Sequence, residues 1–228
     1  MLADADLSAI GRALGDSHRA RFVLALLSGE ELTAGALAAR AGTSSSLTSA
    51  HLARLLESGL VTVETRGRQR YYRIASAQVA AAVEALLTIA PQRQAEGLTE
   101  VTRGKSLRRA RTCYDHLAGQ LGVALADAFE RDGVLIPAAG GWELTGEGEQ
   151  TLAALGVDPV TLRQGRRPLL RPCLDWTERR PHVAGALGQA LASRLLDLGW
   201  VRRSTSSRAI VITAPGEQQL LAQFAIKV

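Results

Sequence analysis

Cysteine is scarce in this 228-residue sequence: it has two, Cys113 and Cys173, too few for a disulfide scaffold. Long apolar runs are missing too. The longest, near Ala77–Ala90, is broken by Glu84 and is too short to span a bilayer. The opening MLADADLSAI has neither the basic start nor the apolar core of a cleavable export signal. No glycine-rich phosphate loop and no metalloprotease or hydrolase signature occurs. Cys113, His116 and Asp115 form a Cys–His–Asp set, but the surrounding motif occurs twice, which suits a symmetric structural or sensing role better than a single active site. These absences point to a cytoplasmic protein that is not an enzyme and has no membrane partner.

Hydrophobic residues make up 46% of the chain, enough for buried cores, and the length fits two compact domains. The net charge is +5, and the basic residues are almost all arginine. Arginine offers planar, multi-donor contacts to phosphates and base edges. A GC-rich genome would write the same arginines, so their placement matters more than their number.

Apolar residues at helical spacing (Leu7, Ile10, Leu14, then Phe22 and Leu26) predict two helices separated by Gly15–Asp16–Ser17. Glu31–Arg40 reads as another helix, ended by Ala41–Gly42. Thr43 or Ser44 then caps a helix running to about Ser58. In that helix Thr48, Leu52, Leu55 and Leu56 form the buried stripe. The opposite face shows Ser45, Ser46, Ser49, Ala50, Ala53 and Arg54, slim enough to enter a major groove. Gly59–Glu64 and Arg70–Ile74 read as a hairpin whose tip carries Arg66, Arg68 and Arg70 around one glycine. A basic hairpin directly after such a helix is a wing, placed to reach phosphates or a minor groove.

Ala13–Phe22, Thr43–Val61 and the wing Arg66–Arg73 together are similar to the ArsR/SmtB family of winged-helix repressors, over about residues 5–92. The resemblance implies double-stranded DNA as partner, with Ser44, Ser45, Ser46, Ser49, Ala50 and Arg54 on the recognition helix and Arg66, Arg68 and Arg70 on the wing. It also implies a homodimer through Leu7–Leu14 and Ala77–Ile89, and release of DNA by a small inducer. His51 stands where the family commonly has histidine, and it reads, like His18, as structural. Glu31–Ala38 has no Cys or His, and Ser76–Ile89 lacks a His and carboxylate set, so neither of the family's usual metal sites is present.

The remainder repeats itself. His116–Ala126 and His182–Ala192 align without a gap at an offset of 66, and nine of eighteen positions are identical over 116–133 against 182–199. Arg111-Thr-Cys-Tyr-Asp115 matches Arg171-Pro-Cys-Leu-Asp175, and Leu144–Glu149 matches Ile212–Glu217. Each copy reads as helix (Leu117–Arg131; Val183–Leu198), hairpin (Gly133–Thr145; Gly199–Thr213) and helix (Gly146–Leu155; Pro215–Phe224). Leu121, Leu125, Leu187 and Leu191 are the expected shared core. The fold expected is therefore mainly α with small β-hairpins (α+β). It comprises a winged helix-turn-helix at 1–92, a linker or helix at 93–110, and two winged-helix-like half repeats at about 111–158 and 171–228 within a 111–228 domain.

Both cysteines and two of the four histidines lie at the repeat starts. Cys113 and His116 would share a face if the segment were helical. Four readings of Cys113, His116, Cys173, Asp175, Trp176 and His182 stand side by side. They are packing, with Asp115 and Asp175 paired to Arg111 and Arg171; a redox-sensing thiol; a metal or haem site on Cys113, His116, Cys173 and His182; and an organic-ligand pocket that adds Glu178, Arg179 and Arg180. The functional expectation is a sequence-specific repressor whose C-terminal domain receives a small-molecule or redox signal. The alternative is an architectural DNA-binding protein without an inducer.

Overall fold

The structure, a computed structural model, describes residues 5–91, 94 and 97–227. Both ends of the expected 1–92 domain and the start of the 93–110 linker therefore include positions outside the described residues. Among the described residues no helix is long and apolar enough to cross a membrane. Contacts divide the chain into two units, Met1–Val83 and Glu84–Val228.

Unit 1 opens with α1 (Leu7–Leu14) and α2 (Ser17–Leu26). Asp16 separates them because its carboxylate accepts the backbone N–H groups of His18 and Arg19 at 3.0 Å, satisfying donors that a helix start leaves without partners. The expected helix over Glu31–Arg40 is shorter and preceded by a strand. β1 (Leu32–Thr33) leads into α3 (Ala34–Ala41), with Thr33 as N-cap and Gly42 in the left-handed conformation as stop. Two residues of strand carry no periodic signal, so β1 is visible only through its pairing with β3.

Helix α4 (Ser45–Glu57) is capped by Ser44, while the Thr43 hydroxyl bonds the buried Thr48. Strands β2 (Val61–Arg66) and β3 (Gln69–Ile74) form the hairpin, turned by Gly67 at φ +61°, and β1 extends the sheet in the order β1-β3-β2. Phe22, Val23, Leu26, Leu37, Leu52, Leu55 and Ile74 are fully buried beneath it. Helix α5 (Ala77–Ile89) follows. The division between units falls inside it, ahead of the boundary placed at residue 92, because Glu84 is buried against unit 2 residues.

In unit 2 the expected linker is largely helix, α6 (Leu98–Arg109). Then come β4 (Arg111–Cys113), β5 (His116–Ala118), α7 (Gly119–Arg131), β6 (Leu135–Ala138), β7 (Gly141–Leu144) and α8 (Gly146–Leu155). A short α9 (Pro159–Arg163) intervenes. The same order then returns in β8 (Arg171–Leu174), β9 (Pro181–Ala184), α10 (Gly185–Asp197), β10 (Val201–Arg203), β11 (Ile210–Ile212) and α11 (Ala214–Phe224). Each half thus begins with a hairpin where the residue spacing predicts the start of a helix. The first turn, Tyr114–Asp115, has Tyr114 at φ +62° without the glycine that usually marks such a turn.

The recurring residues have physical reasons. Thr145 and Thr213 each cap the following helix and donate a hydroxyl hydrogen bond of 2.7 Å, to the Gly133 and Gly199 carbonyls. Three residues later, a Cβ on Gly148 or Gly216 would lie 2.2 Å from the Val134 carbonyl oxygen or 1.9 Å from that of Trp200. A Cβ on Gly122 or Gly188 would lie 2.5 Å from the Leu117 carbonyl oxygen or 2.4 Å from that of Val183 in the same half, and the one on Gly188 would also crowd His116 Cβ of the other half at 3.1 Å. Helix α7 accordingly packs on β9, and α10 on β5. Leu121, Leu125, Leu187 and Leu191 join one buried cluster with Phe129, Leu152 and Leu195.

Candidate functional site

Helix α4 buries Thr48, Leu52 and Leu55 and leaves Ser45, Ser46, Leu47, Ser49, Ala50, Ala53 and Arg54 exposed. The hydroxyl-lined outer face is present as expected. Ser49 Oγ donates to the Ser45 carbonyl at 3.0 Å, and Ser44 Oγ accepts from the Leu47 N–H at 3.3 Å. Leu47, whose apolar side chain gives no sign of a contact role in the sequence, is 42% exposed in the middle of this face. His51 packs beside His18 and Phe22.

The wing arginines differ in their surroundings. Arg66 is held by Glu31 at 2.7 Å and by Glu64 through contacts of 3.0 and 2.7 Å, and it lies over the Tyr71 ring. Those carboxylates raise its already high pKa. Arg68 and Arg70 are exposed, and Arg70 lies over Tyr72. Arg54 pairs with Glu57 at 3.2 Å.

The repeat starts meet inside unit 2. Cys113 faces His116 across β4–β5, and Cys173 faces His182 across β8–β9. The Sγ atoms of Cys113 and Cys173 are 3.7 Å apart, and the Nε2 atoms of His116 and His182 are 3.1 Å apart with rings stacked. All four donor atoms lie within 4.8 Å of one another. The pairing is cross-strand rather than helical, and an arrangement this closed leaves no slot for a haem macrocycle.

A ring of charge surrounds the four. His116 Nδ1 lies 3.2 Å from Asp115 Oδ1, and Asp115 also binds Arg167 at 2.6 Å. Arg167 takes the place expected of Arg171, which is exposed. Asp175 is fully buried and binds Arg111 at 2.8 Å, the Gly119 N–H at 2.7 Å, and the N–H groups of Thr177 and Glu178. Its Oδ2 lies 3.7 Å from His182 Nδ1. Burial raises the Asp175 pKa, but the Arg111 charge and these hydrogen bonds outweigh it and hold the carboxyl well below its usual range. For Cys173, the hydrogen bond with Cys113, followed by those with His116 and His182, brings the pKa down to about 2 against the opposing effect of burial. The Cys113 thiol is pushed up by the same bond and by burial.

Arg208, on the loop between β10 and β11, is buried against Glu84 and donates to the Thr112 carbonyl at 3.4 Å. The candidate pocket residues do not converge. Asp175 and His182 belong to the buried cluster, Glu178 pairs with Arg108, and Arg180 pairs with Asp127. Only Trp176 and Arg179 line a groove of about 340 Å³, with Leu87, Gly104, Arg108 and Thr177 among its other walls.

A family profile described as a helix-turn-helix domain matches residues 14–64. A Bacillus subtilis (strain 168) protein named "Uncharacterized HTH-type transcriptional regulator YdfF" is 42% identical over 212 residues, covering 93% of this chain and 94% of that one. The Mycobacterium tuberculosis (strain H37Rv) regulator CmtR is 40% identical over 83 residues, 36% of this chain and 70% of CmtR. An NMR structure described as that of the cadmium metal-sensor CmtR from Mycobacterium tuberculosis superposes with a TM-score of 0.34 at 36% identity, over 40% of this chain and 93% of that one.

Proposed function

Given that the chain belongs to the helix-turn-helix transcriptional regulators, DNA-binding proteins rather than enzymes, we propose that it is a sequence-specific repressor that binds its operator as a homodimer and takes its signal in unit 2. The observation that carries the DNA reading is the slim face of α4, exposed in the same unit as an exposed arginine wing. In this reading Ser45, Ser46, Ser49 and Ala50 meet base edges, and Leu47 offers an apolar contact to thymine methyl groups. Ser44, Arg54, Arg66, Arg68 and Arg70 hold phosphates. The dimer forms through α1 and α5. In support, Leu7 is 78% and Ile89 79% exposed on those helices, more apolar surface than a lone chain gains from showing.

We read the two halves of unit 2 as a duplication, because element order, caps and glycines recur together. The signal enters at Cys113, His116, Cys173 and His182, with Asp175 positioning and Trp176 covering Arg111. Operator selection from random duplexes, followed by anisotropy titration, tests the reading. An enriched palindrome bound roughly 10³-fold or more above unrelated DNA supports it. Equal affinity for every duplex would overturn it in favour of an architectural protein.

A further inference from the structure

Two imidazoles and two thiols meet at the centre of unit 2, with their four donor atoms turned toward one common point. The Nδ1 atom of His116 faces Asp115, so the ring's proton belongs on that side and Nε2 presents a bare lone pair. His182 is set more loosely: its Nδ1 lies 3.7 Å from Asp175 Oδ2 with no hydrogen-bond partner, and a proton there leaves its Nε2 lone pair bare as well. With both protons on Nδ1, two lone pairs oppose each other at 3.1 Å beside two sulfurs 3.7 Å apart. A single cation placed between them would meet all four donor atoms at once.

We infer that Cys113, His116, Cys173 and His182 form a closed tetrahedral site for one divalent metal ion per chain, zinc or its softer congener cadmium. At Zn–N of about 2.05 Å and Zn–S of about 2.3 Å, a tetrahedron has an N–N edge of about 3.3 Å and an S–S edge of about 3.8 Å. The observed 3.1 and 3.7 Å lie close to both. Two thiolates and two imidazoles are the donor set such ions prefer, and four protein ligands leave no open position for catalysis. Asp115 and Asp175 occupy the outer positions that orient ligating imidazoles. Because each half supplies one Cys and one His as cross-strand neighbours, the ion ties the halves together. Beside the site, the Thr112 carbonyl accepts from Arg208, which pairs with Glu84 on α5. Metal occupancy therefore reaches the helix assigned above to the dimer. The site itself does not depend on the proposed DNA reading; only this consequence rests on it.

The test uses the full chain, reduced, dialysed against chelator and titrated anaerobically with Co²⁺ and then Zn²⁺. The expected result is one equivalent bound, with a thiolate-to-cobalt charge-transfer band that Zn²⁺ abolishes. Asp115→Asn should keep the spectrum and weaken affinity roughly 10- to 100-fold. The double variant Cys113→Ser/Cys173→Ser should lose the band. A wild-type protein with no charge-transfer band, a double variant that binds as tightly as wild type, or reduced protein that forms a Cys113–Cys173 disulfide in air while retaining no metal would overturn the site. Operator affinity measured with and without Zn²⁺ separates the two readings. Metal binding without operator binding sustains the site and removes the proposed function, and the reverse outcome does the opposite.

Discussion

Asp175→Asn is the most revealing single change. The carboxylate is fully buried and accepts from the Arg111 guanidinium at 2.8 Å, the Gly119 N–H at 2.7 Å, the Thr177 N–H at 2.8 Å and hydroxyl at 2.7 Å, and the Glu178 N–H at 3.0 Å. Asparagine keeps the shape but turns one accepting oxygen into a donor that faces donors. It also leaves Arg111, fully buried against Trp176, without a counter-charge. Breaking a buried pair from one side costs about 3–5 kcal/mol. Urea unfolding followed by tryptophan fluorescence should show a loss of that size in the unit 2 transition. Asp175→Leu combined with Arg111→Leu should cost less than either single change, since neither charge is then stranded. Because the folded-state pKa is depressed, the stabilisation is complete above the ordinary carboxylate range and is lost as pH falls below it. A single-variant loss under about 1 kcal/mol would refute the claim that this charge pair joins the two halves.

Arg68→Ala should weaken DNA binding and lower the salt slope by about 1. Arg66→Ala should do less, since Arg66 must first leave Glu31 and Glu64; anisotropy at several salt concentrations ranks the two. Gly188→Ala places a Cβ 2.4 Å from the Val183 carbonyl oxygen and 3.1 Å from His116 Cβ, so a loss of about 1–3 kcal/mol is expected in thermal unfolding. Asp16→Ala removes the α2 cap and should cost about 1 kcal/mol by the same measurement. Ser46→Glu should abolish operator binding by placing a carboxylate against the phosphates, with an unchanged circular dichroism spectrum showing that the fold survives.

Much of the architecture is legible in local chemistry. Helices α2, α4, α8 and α11 begin where Asp16, Ser44, Thr145 and Thr213 can cap them, and α4 shows its outer face from side-chain spacing alone. The Cys and His residues also stand out, because the repeat carries them twice. Their geometry was not legible. The hairpin β4–β5 turns at Tyr114 in a conformation that glycine favours, so no turn signature marks it.

Spacing and caps lie within a few residues of one another, and recurrence shows as identity at a fixed offset, so the chain alone already marked a winged helix-turn-helix and a pattern that returns 66 residues on. Which distant side chains meet was settled only by folding. Arg111 reaches Asp175 over 64 residues, and Arg208 reaches Glu84 over 124. Such pairings depend on how α7 seats on β9 and α10 on β5. That seating is set by mutual burial and by the space Gly188 leaves beside His116, neither of which a local pattern encodes.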